Sequence, residues 1–214
     1  MSARRSVHAA VGLALSATFL ALTGCASEGV DGDGADRPLV VVSTNILGDV
    51  VGEIAGDEAE VVVLMQRDAD PHSFQISARE AARILDADLI VSNGLGLEEG
   101  LQQNLDAATA DGVRSITAGE LIDPLEYSAG DAAGAPDPHF WTDPARMIDV
   151  VEGVARELED TDGIDGAAIA DNAAAYITQL EALDAEMTAA FSADRKSTRL
   201  NSSHLSQSRM PSSA

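Results

Sequence analysis

The chain has 214 residues, 45% of them hydrophobic, a formal net charge of −23 and one cysteine. This length and composition allow one or two domains with a sizeable core and exclude a chain that is disordered throughout. The acidic balance argues against nucleic acid as a partner, because phosphates call for Lys and Arg, and a single cysteine excludes an internal disulfide.

Residues 1–25 read as an export signal. Arg4 and Arg5 form a basic start, Val7 to Leu22 is mostly apolar and small, and Leu22-Thr23-Gly24-Cys25 follows. The apolar run is short for a membrane span and ends in small residues. Cys25 in that setting resembles the lipobox of bacterial lipoproteins, which implies cleavage before Cys25 and lipid attachment to it. Residues 26–37 are Gly- and Asp-rich and read as a flexible tether.

The body alternates strand and helix patterns. Pro38 to Thr44 is a continuous β-branched run, as in a strand buried on both faces. Asn45 is placed to cap a helix whose apolar positions, Ile46, Leu47, Val50, Val51 and Ile54, recur until Gly56. A second strand spans Ala59 to Met65, and Ser77 starts a second helix through Leu85. A third strand, Asp88 to Ser92, runs into Asn93-Gly94-Leu95-Gly96-Leu97-Glu98. Its glycines lack the third glycine or lysine of a phosphate loop and predict a tight turn. A helix is expected from Glu98 to Ala110, a short strand from Val113 to Thr117, and a loop from Asp123 to Asp137. Pro144 to Leu158 carries one apolar face. From Ala167 to Phe191 the apolar positions again fall three or four apart, with no glycine or proline.

This alternation predicts an α/β lobe over residues 38–165, built as a parallel sheet covered by helices. One long helix is expected over 166–194. The remainder, 195–214, lacks acids, contains the chain's only lysine, Lys196, and is serine-rich from Ser197 on. It reads as a disordered, foreign or frame-shifted tail.

Two loops carry the chemistry. Asp70-Pro71-His72-Ser73-Phe74 and Asp137-Pro138-His139-Phe140-Trp141-Thr142-Asp143-Pro144 each present a histidine just after Asp-Pro. Proline fixes its own φ and extends the residue before it, so each imidazole sits on a stiff loop. Two such imidazoles are candidate ligands for a transition metal. A lone triplet of this kind is more often a surface loop; the pair carries the metal reading. Asp70 and Asp137 could orient their histidines, but residues before proline serve more simply as turn formers. No hydrolase motif of the His-Glu-x-x-His or Gly-x-Ser-x-Gly type is present.

With the lipobox, both Asp-Pro-His loops, Ser43-Thr44-Asn45, Ser92 to Glu98 and the long helix in place, the chain resembles the metal-binding lipoproteins of bacterial ABC importers for zinc and manganese. The resemblance covers about Pro38 to Asp194. It implies the N-terminal lobe of a two-lobed periplasmic-binding-type fold, with a long helix between lobes and metal held at their junction. His72 and His139 would be the first lobe's ligands. The second lobe should supply the other two ligands after the long helix, and the resemblance implies that this sequence stops short of it. His204 lies near where a third ligand would fall, but no apolar strand precedes it and no acid stands beside it, so it is not assigned. The implied function is extracytoplasmic capture of a divalent transition metal, zinc (Zn2+) before manganese (Mn2+), by a protein lipid-anchored at the outer face of the cell membrane that passes the ion to an ABC permease. The segment before the second loop is acidic but lacks the histidines often found in zinc members. The implied protein is not an enzyme. The alternatives are an envelope zinc-dependent hydrolase, for which no general base is recognisable, and a surface adhesion module.

Overall fold

The computed structural model describes residues 37–70, 73–130 and 132–205, with the backbone alone from 193 onward. The export signal, Cys25 and most of the tether lie outside these residues. So does His72.

The first valine run forms β1 (Leu39–Thr44). It is followed by α1 (Asn45–Ala55), β2 (Glu60–Met65), α2 (Ala78–Leu85), β3 (Leu89–Ser92), α3 (Gln102–Ala110), β4 (Arg114–Thr117), α4 (Pro144–Glu159) and α5 (Gly166–Leu205). The four strands are all parallel, in the order β2-β1-β3-β4. The lobe is therefore α/β with helices on both faces, as expected. Val40, Val41 and Val42 are each 0% exposed. Successive strand residues point to opposite faces, and the packing follows that alternation. Val40, Val42, Leu89 and Val91 join a cluster with α1, α4 and α5. Val41 and Ile90 join the opposite cluster with Ile84 of α2 and Leu105 and Ala108 of α3. The strand order reverses between β1 and β3, and in open parallel sheets the crevice at the carboxyl ends of such strands is the usual ligand position.

Local chemistry sets the element ends. Thr44, rather than the expected Asn45, caps α1: its hydroxyl accepts the Leu47 N–H at 3.3 Å. Threonine ends the strand in extended conformation, which leaves its oxygen facing the first helical amides. Ser77 caps α2 in a reciprocal box with Glu80, and this fixes where the loop after β2 stops. Asp143 caps α4, with Pro144 in its first turn.

Three segments depart from expectation. The helix expected from Glu98 begins only at Gln102. Gly94, Leu95 and Gly96 all take positive φ, at 76°, 55° and 78°, and spend the preceding residues in a left-handed turn. The segment before the second Asp-Pro-His is not a plain loop: Glu126 and Pro136 form an antiparallel bridge, and the Asp137 N–H donates to the Leu125 carbonyl at 2.7 Å. The long helix, expected to stop at 194, continues to Leu205. No glycine or proline interrupts 167–205, and serine and threonine alone are weak helix breakers. His204 lies on this helix.

Leu158 is fully buried in the cluster beneath α4 and α5. Leu158→Ala should cost about 2–5 kcal/mol in chemical denaturation, through lost burial and the cavity left behind. The Glu80 carboxyl is held below its ordinary range first by the Ser77 N–H, at 2.6 Å, and then by the Ser77 hydroxyl. A depressed carboxyl stabilises above its unfolded-state pKa, and that contribution is lost as pH falls through the folded-state pKa. The Ser77 amide proton shift should follow that loss on acidification and stay flat in Glu80→Gln, as read by NMR.

Candidate metal centre

His139 stands where the chain leaves the 126–136 hairpin and enters a short 3-10 turn, Phe140–Thr142. Pro138 before it and Phe140 after it are buried. The imidazole between them is half-buried, with 37% of its side chain exposed. Trp141 packs edge-on against the ring at a centroid distance of 5.2 Å, and Tyr127 does so from the hairpin at 6.3 Å.

Asp137 does more than form the turn. Its Oδ1 accepts the His139 backbone N–H at 3.0 Å and lies 2.7 Å from His139 Nδ1. The backbone bond is the main reason its carboxyl is held below the usual range, although burial opposes it; the imidazole adds to the lowering. An ionised carboxylate only accepts. Nδ1 therefore carries the proton in this contact, and in the neutral ring Nε2 holds the lone pair. The Tyr127 hydroxyl lies 3.3 Å from Nδ1. Desolvation, then the Asp137 charge, push that hydroxyl above the ordinary phenol range, so it stays a donor at neutral pH and serves Asp137. Carboxylate, imidazole and phenol thus fix one tautomer and one ring orientation, which is the arrangement that metal-binding histidines use. The two-residue spacing of Asp137 and His139 was visible in the sequence; the choice between turn former and ring partner needed the geometry. Tyr127 had no sequence signal, because only the hairpin brings it within reach.

The other loop begins at the carboxyl end of β2. Asp70 Oδ2 accepts the Ser73 hydroxyl at 2.9 Å, and its carbonyl accepts the Ser73 N–H at 3.3 Å. These contacts tie Ser73 back to Asp70. Among the described residues no group of three or more His, Cys, Asp or Glu could hold a metal. A shallow cavity beside His139 is lined by Asp137, Phe140, Thr142, Asp143 and Arg146. Arg146 is ion-paired to Asp143, and its Nε donates to the Asp123 carbonyl.

A buried polar network lies behind the loop, in the crevice between β1 and β3. Glu98 is 2% exposed, yet both its oxygens are occupied. Oε1 accepts the Ser43 hydroxyl and the Asn93 N–H, each at 2.6 Å; Oε2 accepts the Gly94 N–H at 3.0 Å. The Asn93 side chain donates to the Pro138 carbonyl at 3.1 Å and to the Gly94 carbonyl at 3.2 Å. Sequence reasoning took Glu98 as the start of a helix and did not single out its side chain. A surface acid and a buried one look alike in a string of letters.

The profile of the family described as zinc-uptake complex component A, periplasmic (ZnuA), matches residues 40–206, and the chain belongs to that family. It is 34% identical over 170 residues to the manganese-binding lipoprotein MntA of Halalkalibacterium halodurans, covering 77% of this chain and 54% of that protein. Against the iron-binding protein YfeA of Yersinia pestis the figures are 30% over 165 residues, 77% and 52%. A zinc-bound crystal structure of a ZnuA deletion mutant superposes with a TM-score of 0.64 at 30% identity, over 71% of this chain and 57% of that one. The chain spans about half the length of the curated relatives it matches. Those relatives are named for binding metal, not for catalysis.

Asp137→Ala should release the Nδ1 proton from its acceptor. Long-range ¹H–¹⁵N spectra of His139 should then show a mixture of tautomers where the native protein shows mainly the Nδ1–H form.

Proposed function

We propose that this chain is the metal-capturing lobe of an extracytoplasmic solute-binding protein. It takes up a divalent first-row transition ion and delivers it to the membrane permease of an ABC importer, from a lipid anchor at Cys25 on the outer face of the cell membrane. His139 and His72 are the ligands this chain contributes. The observation that carries the reading is the carboxylate–imidazole pair at Asp137 and His139, which supports Nε2 as the nitrogen that would coordinate. Its position supports the same reading: the loop packs against the crevice at the carboxyl ends of β1 and β3.

Zinc is the ion we favour. Neutral imidazole suits zinc well, whereas manganese prefers oxygen donors. The relatives' names span manganese, iron and zinc, so the choice rests on donor chemistry. The acidic surface adds a weak, salt-dependent attraction for cations.

Two imidazoles are half of what a tetrahedral zinc site takes. Titration calorimetry of the 214-residue chain with zinc should show binding far weaker than a four-ligand site gives. His139→Ala and His72→Ala should each abolish it, and His204→Ala should leave it unchanged. Tight one-to-one binding lost in His204→Ala would refute this assignment of ligands. Preferential binding of manganese in a direct competition would refute the choice of zinc.

A further inference from the structure

We propose that Glu98 and Asn93 are positioning residues for the His139 imidazole, and that the turn they hold, residues 93–101, is the shared brace of both Asp-Pro-His loops. The proposal rests on the metal-binding reading for its purpose, but its geometry stands apart from any metal.

Three observations converge on the turn. The first is the wiring of Asn93. This residue is fully buried and every backbone group of it is used: its N–H goes to Glu98 and Ser43, and its carbonyl accepts the Gly119 N–H at 2.9 Å. Its side-chain nitrogen bridges two carbonyls, those of Gly94 and Pro138. The bond to Pro138 spans 45 residues of sequence and ends one residue before His139. Two carbonyl neighbours also settle which end of the amide is nitrogen, since an oxygen there would meet two acceptors.

The second is an unpaired atom. Asn93 Oδ1 is buried and has no hydrogen-bond partner among the described residues. A buried acceptor left unpaired is rare and destabilising. A fold selected for stability alone has no reason to keep an asparagine here. The bond from Nδ2 to the Pro138 carbonyl supplies one.

The third is strain joined to close packing. Leu95 takes φ 55°, between two glycines that are also left-handed. Such conformations in residues with a β-carbon persist only where surrounding contacts dictate them, and they gather at functional sites. Here the turn is what brings Glu98 back beneath Asn93 and Gly94. Further along, a β-carbon at Gly100 would overlap the carbonyl oxygen of Phe74, two residues past His72. One turn therefore touches the backbone next to His139, at Pro138 through Asn93, and the other loop at Phe74 through Gly100.

Hydrogen exchange on the full chain without metal reads the brace directly. The His139 amide donates to Asp137, so its exchange reports the set of that loop. Asn93→Ala keeps both backbone donors to Glu98 and removes an amide that carried an unpaired oxygen. It should speed His139 amide exchange about tenfold while leaving the unfolding midpoint near that of the native chain. Glu98→Gln places an amide against backbone donors and should speed the same exchange. Ile84→Val, in the cluster on the other face of the sheet, should leave it unchanged. Gly100→Ala should instead act on the Ser73 amide. Zinc titration supplies the second readout: loss of groups that orient a ligand weakens metal binding by about 10–100-fold, and Asn93→Ala should fall in that range. A native exchange rate at His139 in Asn93→Ala overturns the proposal, and so does acceleration spread evenly over the lobe. Absence of any zinc response in the native chain would defeat the proposed function, and the exchange comparison would still decide the brace.

Discussion

Because Val40, Val41 and Val42 are all fully buried, β1 needs cover on both of its faces, and the layers of the lobe follow from that need. Neighbouring strands can approach β1 only edge-on, and helices must close above and below. α1, α4 and α5 pack one face, while α2 and α3 pack the other. The strands' sides are thereby sealed, and the carboxyl end of the sheet is where loops can collect. Both strands at the reversal, β1 and β3, deliver polar residues there: Ser43 from one, Asn93 from just past the other. A sheet with a wet face would have had other places to put a site.

The strands and their alternation with helices were readable from the letters, because a parallel strand writes itself as an unbroken β-branched run. Ser77 with Glu80 and Asp143 with Pro144 were equally legible, since a cap depends on neighbours a few residues away. What failed to show was whatever depends on residues far apart in sequence. Glu98 reads as the first acid of a helix; its burial comes from Ser43, 55 positions earlier. Tyr127 reads as one aromatic in a polar loop, and only the bridge between Glu126 and Pro136 brings it to His139. The candidate site was legible as two histidines and illegible as a site, because its orientation lies in contacts that spacing does not encode. Even at Asp137, next to the proline, the letters allow both a turn former and a ring partner and favour the first; only the geometry shows that it is also the ring's acceptor.

If His139 is a ligand, as proposed, its loop shows how little a residue's identity says about its fitness to bind. An imidazole on a free loop loses rotational freedom when it coordinates, and that loss weakens binding. Here the ring meets Trp141 edge-on, is held at Nδ1 by Asp137, and is followed by a turn that feeds the capped start of α4. Most of that ordering is complete before an ion arrives. Under the proposed function, a family whose members are named for zinc, manganese and iron fits a division of labour in which the scaffold orders His139 in advance and the remaining donors discriminate among ions.

Asn93 and Gly94 form the dipeptide most prone to spontaneous ageing in proteins. The glycine's backbone nitrogen loses its proton and attacks the asparagine side-chain carbon, ammonia leaves, and water opens the resulting cyclic imide to an aspartate or to a backbone rerouted through the side chain. That attack needs the Gly94 nitrogen free and the amide able to swing onto it. In this fold the Gly94 N–H is spent on Glu98 and the Asn93 amide is pinned between two carbonyls. The contacts that brace the loop therefore also guard it chemically, and the clock for this damage runs only in molecules that have opened the crevice between β1 and β3.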